Sequence, residues 1–131
     1  MANLFHLQTH SSEKGSLTVF ENFFSQGIKR IFYIYDAANQ VRGGHRHILA
    51  KNALTCVSGS CKVWVNNGEE TQVFELNTPD ACLILEPEDW HQMYDFSENA
   101  VLLVLSDRFY EKEDYIYEKY PATETELVFS Q

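Results

Sequence analysis

Residues 53–76 read ALTCVSGSCKVWVNNGEETQVFEL, and this stretch decides the fold class. It holds three short runs rich in β-branched and aromatic residues, namely Ala53–Val57, Lys62–Val65 and Gln72–Leu76. Because such residues favour strands, and because Ser58-Gly59-Ser60 and Asn67-Gly68 are turn signals, the stretch predicts three consecutive β-strands. The pair Asn67-Gly68 is typical of a type I′ hairpin, in which both central residues take a positive φ.

The same pattern continues on both sides of this stretch. Further strand-like runs occur at Leu17–Phe20, Arg30–Tyr35, Ala81–Leu85, Gln92–Phe96 and Val101–Ser106. About eight strands at roughly 8–12-residue spacing predict an all-β sandwich or barrel. The length of 131 residues suits one domain, so residues 1–131 are predicted to form a single unit. Segment 111–119 is either a short helix or extended chain, and tail 121–131 is either partly disordered or docked.

Composition excludes several classes of protein. Ten Lys and Arg against nineteen Asp and Glu give a net charge of −9, which argues against a nucleic-acid or anionic-membrane surface. An anionic small molecule stays open as a ligand, because it needs only a few local cations. The longest apolar run, Ala100–Leu105, is far shorter than the ~20 residues of a membrane span. We therefore predict neither a nucleic-acid nor a membrane partner.

The cysteines and the first residues bear on the compartment. Cys56, Cys61 and Cys82 are odd in number and form no CxxC pair. The first ten residues do not combine a basic flank with an apolar stretch, as a signal peptide would. The simplest interpretation is a cytoplasmic protein whose thiols stay free, most of them buried as small apolar residues.

The residues that indicate chemistry are concentrated in Arg42-Gly43-Gly44-His45-Arg46-His47. On a strand, a spacing of two places both histidines on one face, roughly 6.5–7 Å apart at Cα, and turns Arg46 to the other face. A third histidine, His91, follows Trp90 much later in the chain. Structural histidines, a metal site and metal-free acid–base catalysis are the three interpretations of this set.

The sequence favours acid–base catalysis over a metal site. In a double-stranded β-helix, a metal site commonly adds a carboxylate to such a histidine pair, and here that position falls near Lys51-Asn52, where neither residue is anionic. Three imidazoles alone can still hold zinc, so this alternative stays open. An imidazole titrates near working pH, so one histidine can take a proton while another returns one. Arg42 would supply positive charge for an oxyanion or a phosphate. We therefore predict no metal and no cofactor.

The motifs, taken together, resemble a known family. The resemblance runs from Gly15 to Tyr117 and includes GSLTVFE at 15–21, KRIFYIYD at 29–36, RGGHRH at 42–47, VSGSCKVWVNNGEE at 57–70 and LEPEDWHQMYDF at 85–96. This combination is similar to the small cupin-fold, WxcM-like sugar nucleotide 3,4-ketoisomerases, which act on dTDP-4-keto-6-deoxyglucose. The resemblance implies a cupin-type jelly roll, a homodimer with exchanged N-terminal strands, and no metal requirement.

The resemblance also implies roles for particular residues. The family's two motif histidines fall on His45 and His47, one of which takes the proton from sugar C3 while a proton reaches C4 through an enediol(ate). His45 is favoured as the base and His47 as its partner, and the motif leaves the order open. Arg42 matches the motif arginine. Tyr33 and Tyr35 resemble the aromatic and hydroxyl lining of the family's active site, with core packing as their alternative role.

Four further positions bear on substrate and product. Lys14 and His91 resemble the type that makes a galacto product, whereas the gluco type has Tyr and Arg at these places. Arg46 stands where a small residue is usual and would contact the diphosphate if it faced inward, and Asn52 stands where Gln is frequent. The implied role is the synthesis of dTDP-3-amino-3,6-dideoxyhexoses for surface polysaccharide. A gluco-product ketoisomerase, a metal-dependent cupin enzyme and a non-catalytic nucleotide-sugar-binding cupin are the alternatives.

Overall fold

The computed structural model describes residues 1–121, so the predicted tail lies outside the described residues apart from Pro121. The strands in this part of the chain are β1 (Asn3–His6), β2 (Gln8–Ser12), β3 (Gly15–Val19), β4 (Arg30–Tyr35), β5 (Arg42–His47), β6 (Asn52–Ser58), β7 (Cys61–Asn66), β8 (Thr71–Leu76), β9 (Ala81–Leu85), β10 (Trp90–Tyr94), β11 (Val101–Ser106) and β12 (Tyr115–Ile116). A single 3₁₀ turn, Lys112–Asp114, precedes β12 in the segment that the sequence left undecided.

The strands form two five-stranded antiparallel sheets that face each other. The first has the order β1-β9-β6-β11-β4 and the second the order β12-β5-β10-β7-β8, while β2 and β3 pair only with each other. This arrangement confirms the predicted all-β jelly roll. No helix among residues 1–121 is long and apolar enough to cross a membrane.

The core lies between the sheets, and part of the first sheet is also covered on its outside. Apolar residues from both inner faces pack together, including Leu54, Cys56, Val63, Leu83 and Leu102. A second cluster forms where three phenylalanines of the β3–β4 connection, Phe20, Phe23 and Phe24, pack against outward-facing residues of the first sheet. The central strands β6 and β9 are therefore buried on both faces, as their continuous apolar runs require. All three cysteines are buried free thiols, as predicted.

The predicted type I′ hairpin at Asn67-Gly68 is wrong. β7 and β8 pair from Asn66 opposite Thr71, which leaves a four-residue connection, and within it only Gly68 has a positive φ, of 97°. The reason is the Asn67 side chain, whose Oδ1 accepts from the backbone N–H groups of residues 69 and 70 at 2.9 Å each. Such a side-chain turn stabilises a longer loop than two residues.

A bulge in β5 sets the direction of the histidine strand. Opposite β10, the pairing passes from His91–His45 to Gln92–Gly43, so Gly44 is an extra residue in β5. Gly43 and Gly44 have φ of 85° and 86°, which favours glycine, and a Cβ on Gly43 would lie 3.0 Å from the His91 carbonyl oxygen. The double glycine therefore lets β5 bend against β10 without losing the pairing that follows.

The turn between β6 and β7 carries the chain from one sheet to the other and is locked to the β10–β11 loop. Ser58 Oγ donates to the Asn99 carbonyl oxygen at 2.9 Å, and the Ser60 N–H donates to Ser97 Oγ at 3.0 Å. Gly59 sits between them with φ of 69°. The loop packs so closely on Gly59 that no side chain fits there.

We predict that Gly59→Ala destabilises the protein by about 3 kcal/mol, because strain at a positive φ adds to a steric clash. A Cβ there would lie 2.7 Å from Asn99 Oδ1 and 2.8 Å from Ala100 Cα. Gly27→Ala is the matched control, since its φ is 77° but nothing lies within 4 Å, and it should cost only about 1 kcal/mol. Urea unfolding of both variants checks this, and equal losses would contradict it.

Candidate active site

A cavity of about 220 Å³ opens between the two sheets at one end of the jelly roll. Strands β4, β6 and β11 of the first sheet form one wall, and strands β5 and β10 of the second form the other. Segment 108–115, which ends in β12, closes the side of the cavity. Its polar lining includes three histidines, an asparagine and arginines from both sheets: Arg30, Arg42, His45, His47, Asn52 and His91.

Strand pairing gathers the three histidines. His45 lies directly opposite His91 across β5 and β10, and His47 lies directly opposite Tyr115 across β5 and β12. The ring centroid of His45 lies 4.9 Å from that of His47, 4.8 Å from that of His91 and 4.6 Å from that of Tyr115. Directly opposed residues share a face, so these registers produce one cluster of four rings.

All three imidazoles are neutral near pH 7. Burial, with a smaller contribution from neighbouring His47, lowers the pKa of His45 to about 4. Burial also lowers the pKa of His91 to about 3 and depresses the pKa of His47, although the hydrogen bond and charge of Asp114 act in the opposite direction on His47. Neutral imidazoles can accept protons, so the cluster is suited to the role of a base.

Asp114 is a site residue that sequence reasoning missed. Its Oδ2 lies 2.9 Å from His47 Nδ1, and both side chains are almost fully buried. The two residues are 67 positions apart in the chain, and no local pattern joins them. Tyr115 was missed for the same reason, although both residues lie near the end of the stretch, Gly15 to Tyr117, over which the resemblance runs.

Arg30 is the third residue of the cavity that the sequence did not single out. Its Nη1 donates to Tyr115 Oη at 3.1 Å, and its guanidinium lies over the Phe32 and Tyr110 rings at 4.5 and 5.2 Å. Arg30 and Phe32 are two residues apart on β4, so their side chains lie on the same face of the strand, and both line the cavity. Together with Arg42 and Arg108, it places three permanent cations on the cavity wall.

The structure brings five of the predicted site residues to the cavity: Arg42, His45, His47, Asn52 and His91. Tyr33 and Tyr35 are not among the lining residues, since both project from the opposite face of β4 and are 61% and 60% exposed. Lys14 is exposed at the tip of the β2–β3 hairpin. Arg46 faces away from the cavity, with its guanidinium 4.7 Å from the Tyr120 ring centre, which removes the predicted inward contact with a diphosphate within this chain.

The donor set bears on the metal alternative. Among residues 1–121, no three His, Cys, Asp or Glu side chains are arranged to hold a metal ion. The nearest carboxylate to the histidines, Asp114, is occupied by His47 and by the backbone of the loop after β5.

Comparison with known proteins identifies a similar sequence with a stated activity. It is a TDP-4-oxo-6-deoxy-alpha-D-glucose-3,4-oxoisomerase from Aneurinibacillus thermoaerophilus, 39% identical over 90 residues. The match covers 68% of this chain and 65% of that protein, so this chain spans slightly less than two thirds of the relative's length.

Two solved structures from Campylobacter jejuni have the same fold. WlaRA, a TDP-fucose-3,4-ketoisomerase, is 32% identical with a TM-score of 0.83, and the match covers 89% of each chain. WlaRB, a TDP-quinovose 3,4-ketoisomerase, is 35% identical with a TM-score of 0.84, and the match covers 89% of this chain and 92% of that one. Fucose and quinovose differ in configuration at C4, so overall similarity does not distinguish the two product types.

A family model described as "FdtA: WxcM-like, C-terminal" matches residues 1–124. This match includes every strand that the structure describes and every residue of the cavity wall. It agrees with the resemblance that RGGHRH and the later WHQMYDF segment indicate. The protein therefore belongs to the FdtA family of WxcM-like proteins.

Proposed function

We propose that this chain is an isomerase, a TDP-sugar 3,4-ketoisomerase that converts TDP-4-keto-6-deoxyglucose into a 3-keto-6-deoxyhexose nucleotide. The observation that carries the proposal is the cluster of neutral His45, His47 and His91 on the wall of a cavity of sugar size. The family and the named activities of its similar proteins supply the substrate class.

The chemistry needs a base, a proton donor and stabilisation of an oxyanion. The C4 carbonyl of the substrate acidifies the proton on C3, because the resulting charge delocalises onto the C4 oxygen as an enediolate. His45 takes this proton as a neutral base, and His47, whose ring centroid is 4.9 Å away, is its partner in the proton shuttle: it accepts a proton at Nε2 and returns it to C4. The O3 hydroxyl loses its proton and the O4 oxygen gains one, which completes the exchange of carbonyl and hydroxyl. Arg30 and Arg42 are the cations for the developing oxyanion. Electrons move only within the substrate, so no redox cofactor takes part.

The cavity holds the sugar, and the nucleotide extends beyond it. A volume of about 220 Å³ is smaller than the roughly 300–1,000 Å³ pockets that enclose drug-sized ligands. The diphosphate then lies near Arg42 and Arg108. These cations make the mouth of the cavity locally attractive to a dianionic ligand, although the protein as a whole has a net charge of −9.

The exposed N-terminal hairpin supports a homodimer with exchanged strands. Every residue of β2 is exposed and the hairpin joins neither main sheet, so it has no role in the core of its own chain. The outer face of β4 exposes Ile31, Tyr33 and Tyr35, which suits a surface covered by a second copy. In such a dimer, Lys14 at the hairpin tip approaches the partner's cavity, where it and His91 favour the galacto product.

The cysteines support a cytoplasmic location for the proposed enzyme. Cys56, Cys61 and Cys82 are all free and buried. Unpaired thiols are typical of a reducing compartment.

A non-catalytic sugar-binding protein would bind the same ligand without turnover, so a turnover measurement separates the two functions.

We predict that the wild-type protein, incubated with TDP-4-keto-6-deoxyglucose in D₂O, forms a 3-keto product with deuterium at C4. His45→Asn should lower kcat roughly 10²–10⁴-fold, because it removes the base. His6→Asn is the matched control, since His6 is exposed in β1 with its ring against Asp80 and does not line the cavity, and it should retain wild-type turnover. Product formation is followed by NMR. Binding without exchange in the wild type would contradict catalysis, and near-normal turnover by His45→Asn would contradict its role.

The pH dependence follows from the direction of the histidine shifts. The base must be unprotonated, and the pKa of His45 is lowered from 6.5 to about 4. We therefore expect kcat/KM to stay level from pH 7 down to about pH 5 and to fall only near pH 4. The folded state binds fewer protons than the unfolded one between about pH 6.5 and pH 4, so stability also decreases there, and circular dichroism must confirm folding at each pH. An acid limb near pH 6.5 in folded protein would overturn the assignment.

We predict the galacto configuration at C4 of the product. In that isomer H4 is equatorial and its coupling to H5 is small, whereas the gluco isomer has an axial H4 and a large coupling. Proton NMR of the product formed in H₂O reads this coupling directly. A large coupling would show the gluco product and would remove Lys14 and His91 as indicators of configuration.

A further inference from the structure

One carboxylate organises the whole loop that follows the histidine strand. Asp114 Oδ1 accepts from the Leu49 N–H at 2.7 Å, and Oδ2 accepts from the Ala50 N–H at 3.3 Å as well as contacting His47 Nδ1 at 2.9 Å. The backbone carbonyl oxygen of Asp114 accepts from the Ile48 N–H at 2.9 Å. Each of the four consecutive residues 47–50 is thus bonded to the same residue.

This arrangement fixes where the proton of His47 lies. An ionised carboxylate only accepts hydrogen bonds, so the Nδ1 atom that faces Asp114 must carry hydrogen and donate it. In a neutral imidazole the other nitrogen, Nε2, is then unprotonated and free to accept a proton. The Leu49 and Ala50 N–H groups hold the carboxylate from the far side, so it cannot rotate away from His47.

We propose that Asp114 is the positioning residue that holds His47 in the Nδ1–H tautomer, so that Nε2 of His47 serves the proton transfer. The proposal rests on the proposed 3,4-ketoisomerase function for its kinetic consequence, while the tautomer itself does not. Asp114 immediately precedes β12, and the pairing of Tyr115 with His47 fixes it beside β5. Asp114 therefore acts on the reaction through His47. A carboxylate that selects the tautomer of a proton-transferring imidazole has large kinetic effects in other enzymes.

Replacement of Asp114 by Asn reverses the hydrogen bond with little change in shape. The shortest contact, from the Leu49 N–H, keeps the amide oxygen at the Oδ1 position, so the amide nitrogen faces His47, and the Ala50 N–H loses its longer hydrogen bond because both groups donate. An NH₂ group donates, so Nδ1 of His47 must become the acceptor and its proton must move to Nε2. The nitrogen that the reaction needs as an acceptor is then blocked.

The first experiment measures the tautomer without substrate. Two-dimensional ¹H–¹⁵N correlation of the imidazole nitrogens distinguishes Nδ1–H from Nε2–H, and the His47→Asn variant identifies the His47 signals. We expect Nδ1–H in the wild type and Nε2–H in Asp114→Asn. An Nε2–H tautomer of His47 in the wild type overturns the proposal, whether or not any variant folds and whatever the substrate is.

The second experiment measures turnover with a matched control. Asp107 follows β11 and holds the other end of the loop that Asp114 binds, since its Oδ1 accepts from the Lys51 N–H at 2.9 Å. Among residues 1–121 it makes no hydrogen bond to a histidine. Asp114→Asn should lower kcat by about 10³-fold or more with KM within about threefold, while Asp107→Asn should retain wild-type kcat. Equal losses in both variants, or a change confined to KM, would mean that Asp114 only supports the loop and would overturn the proposal. Absence of turnover in the wild type would instead contradict the proposed function.

Discussion

The site depends on the register of β5 between its two neighbours. β10 places His91 opposite His45, and β12 places Tyr115 opposite His47. A shift of one residue on either side would turn a ring to the other face of the sheet, because side chains alternate with a period of two. The bulge at Gly43-Gly44 makes both pairings compatible, since it absorbs one residue just before the histidines.

The same constraint explains the chemistry of the cluster. Rings that face the inside of a jelly roll lose water, and this desolvation lowers the pKa of His45 to about 4 and that of His91 to about 3. His47 lies beside a buried carboxylate, that of Asp114, which opposes this effect. Adjacent imidazoles of the same residue type thus have different environments, which is a condition for one to take a proton and another to return it.

Much of the fold and part of the site follow from the sequence, for identifiable reasons. Strand-forming runs and the spacing of His45 and His47 depend only on local geometry, and the histidines were placed correctly on one face. The same period placed Tyr33 and Tyr35 together, but it does not say which face of β4 turns inward, and Phe32 and Ile34 occupy the inner one. Asp114 and Arg30 join the site through contacts across 67 and 85 residues, which no local pattern encodes.

The segment that completes the site comes after every strand of the two sheets except β12. Residues 1–106 contain β1 to β11 and hence both walls of the cavity. The carboxylate on His47 and the ring between His45 and His47 arrive only with residues 114 and 115. The orientation of the histidine pair therefore depends on a contact at the edge of the second sheet, where β12 pairs with β5 and the residue just before it holds His47.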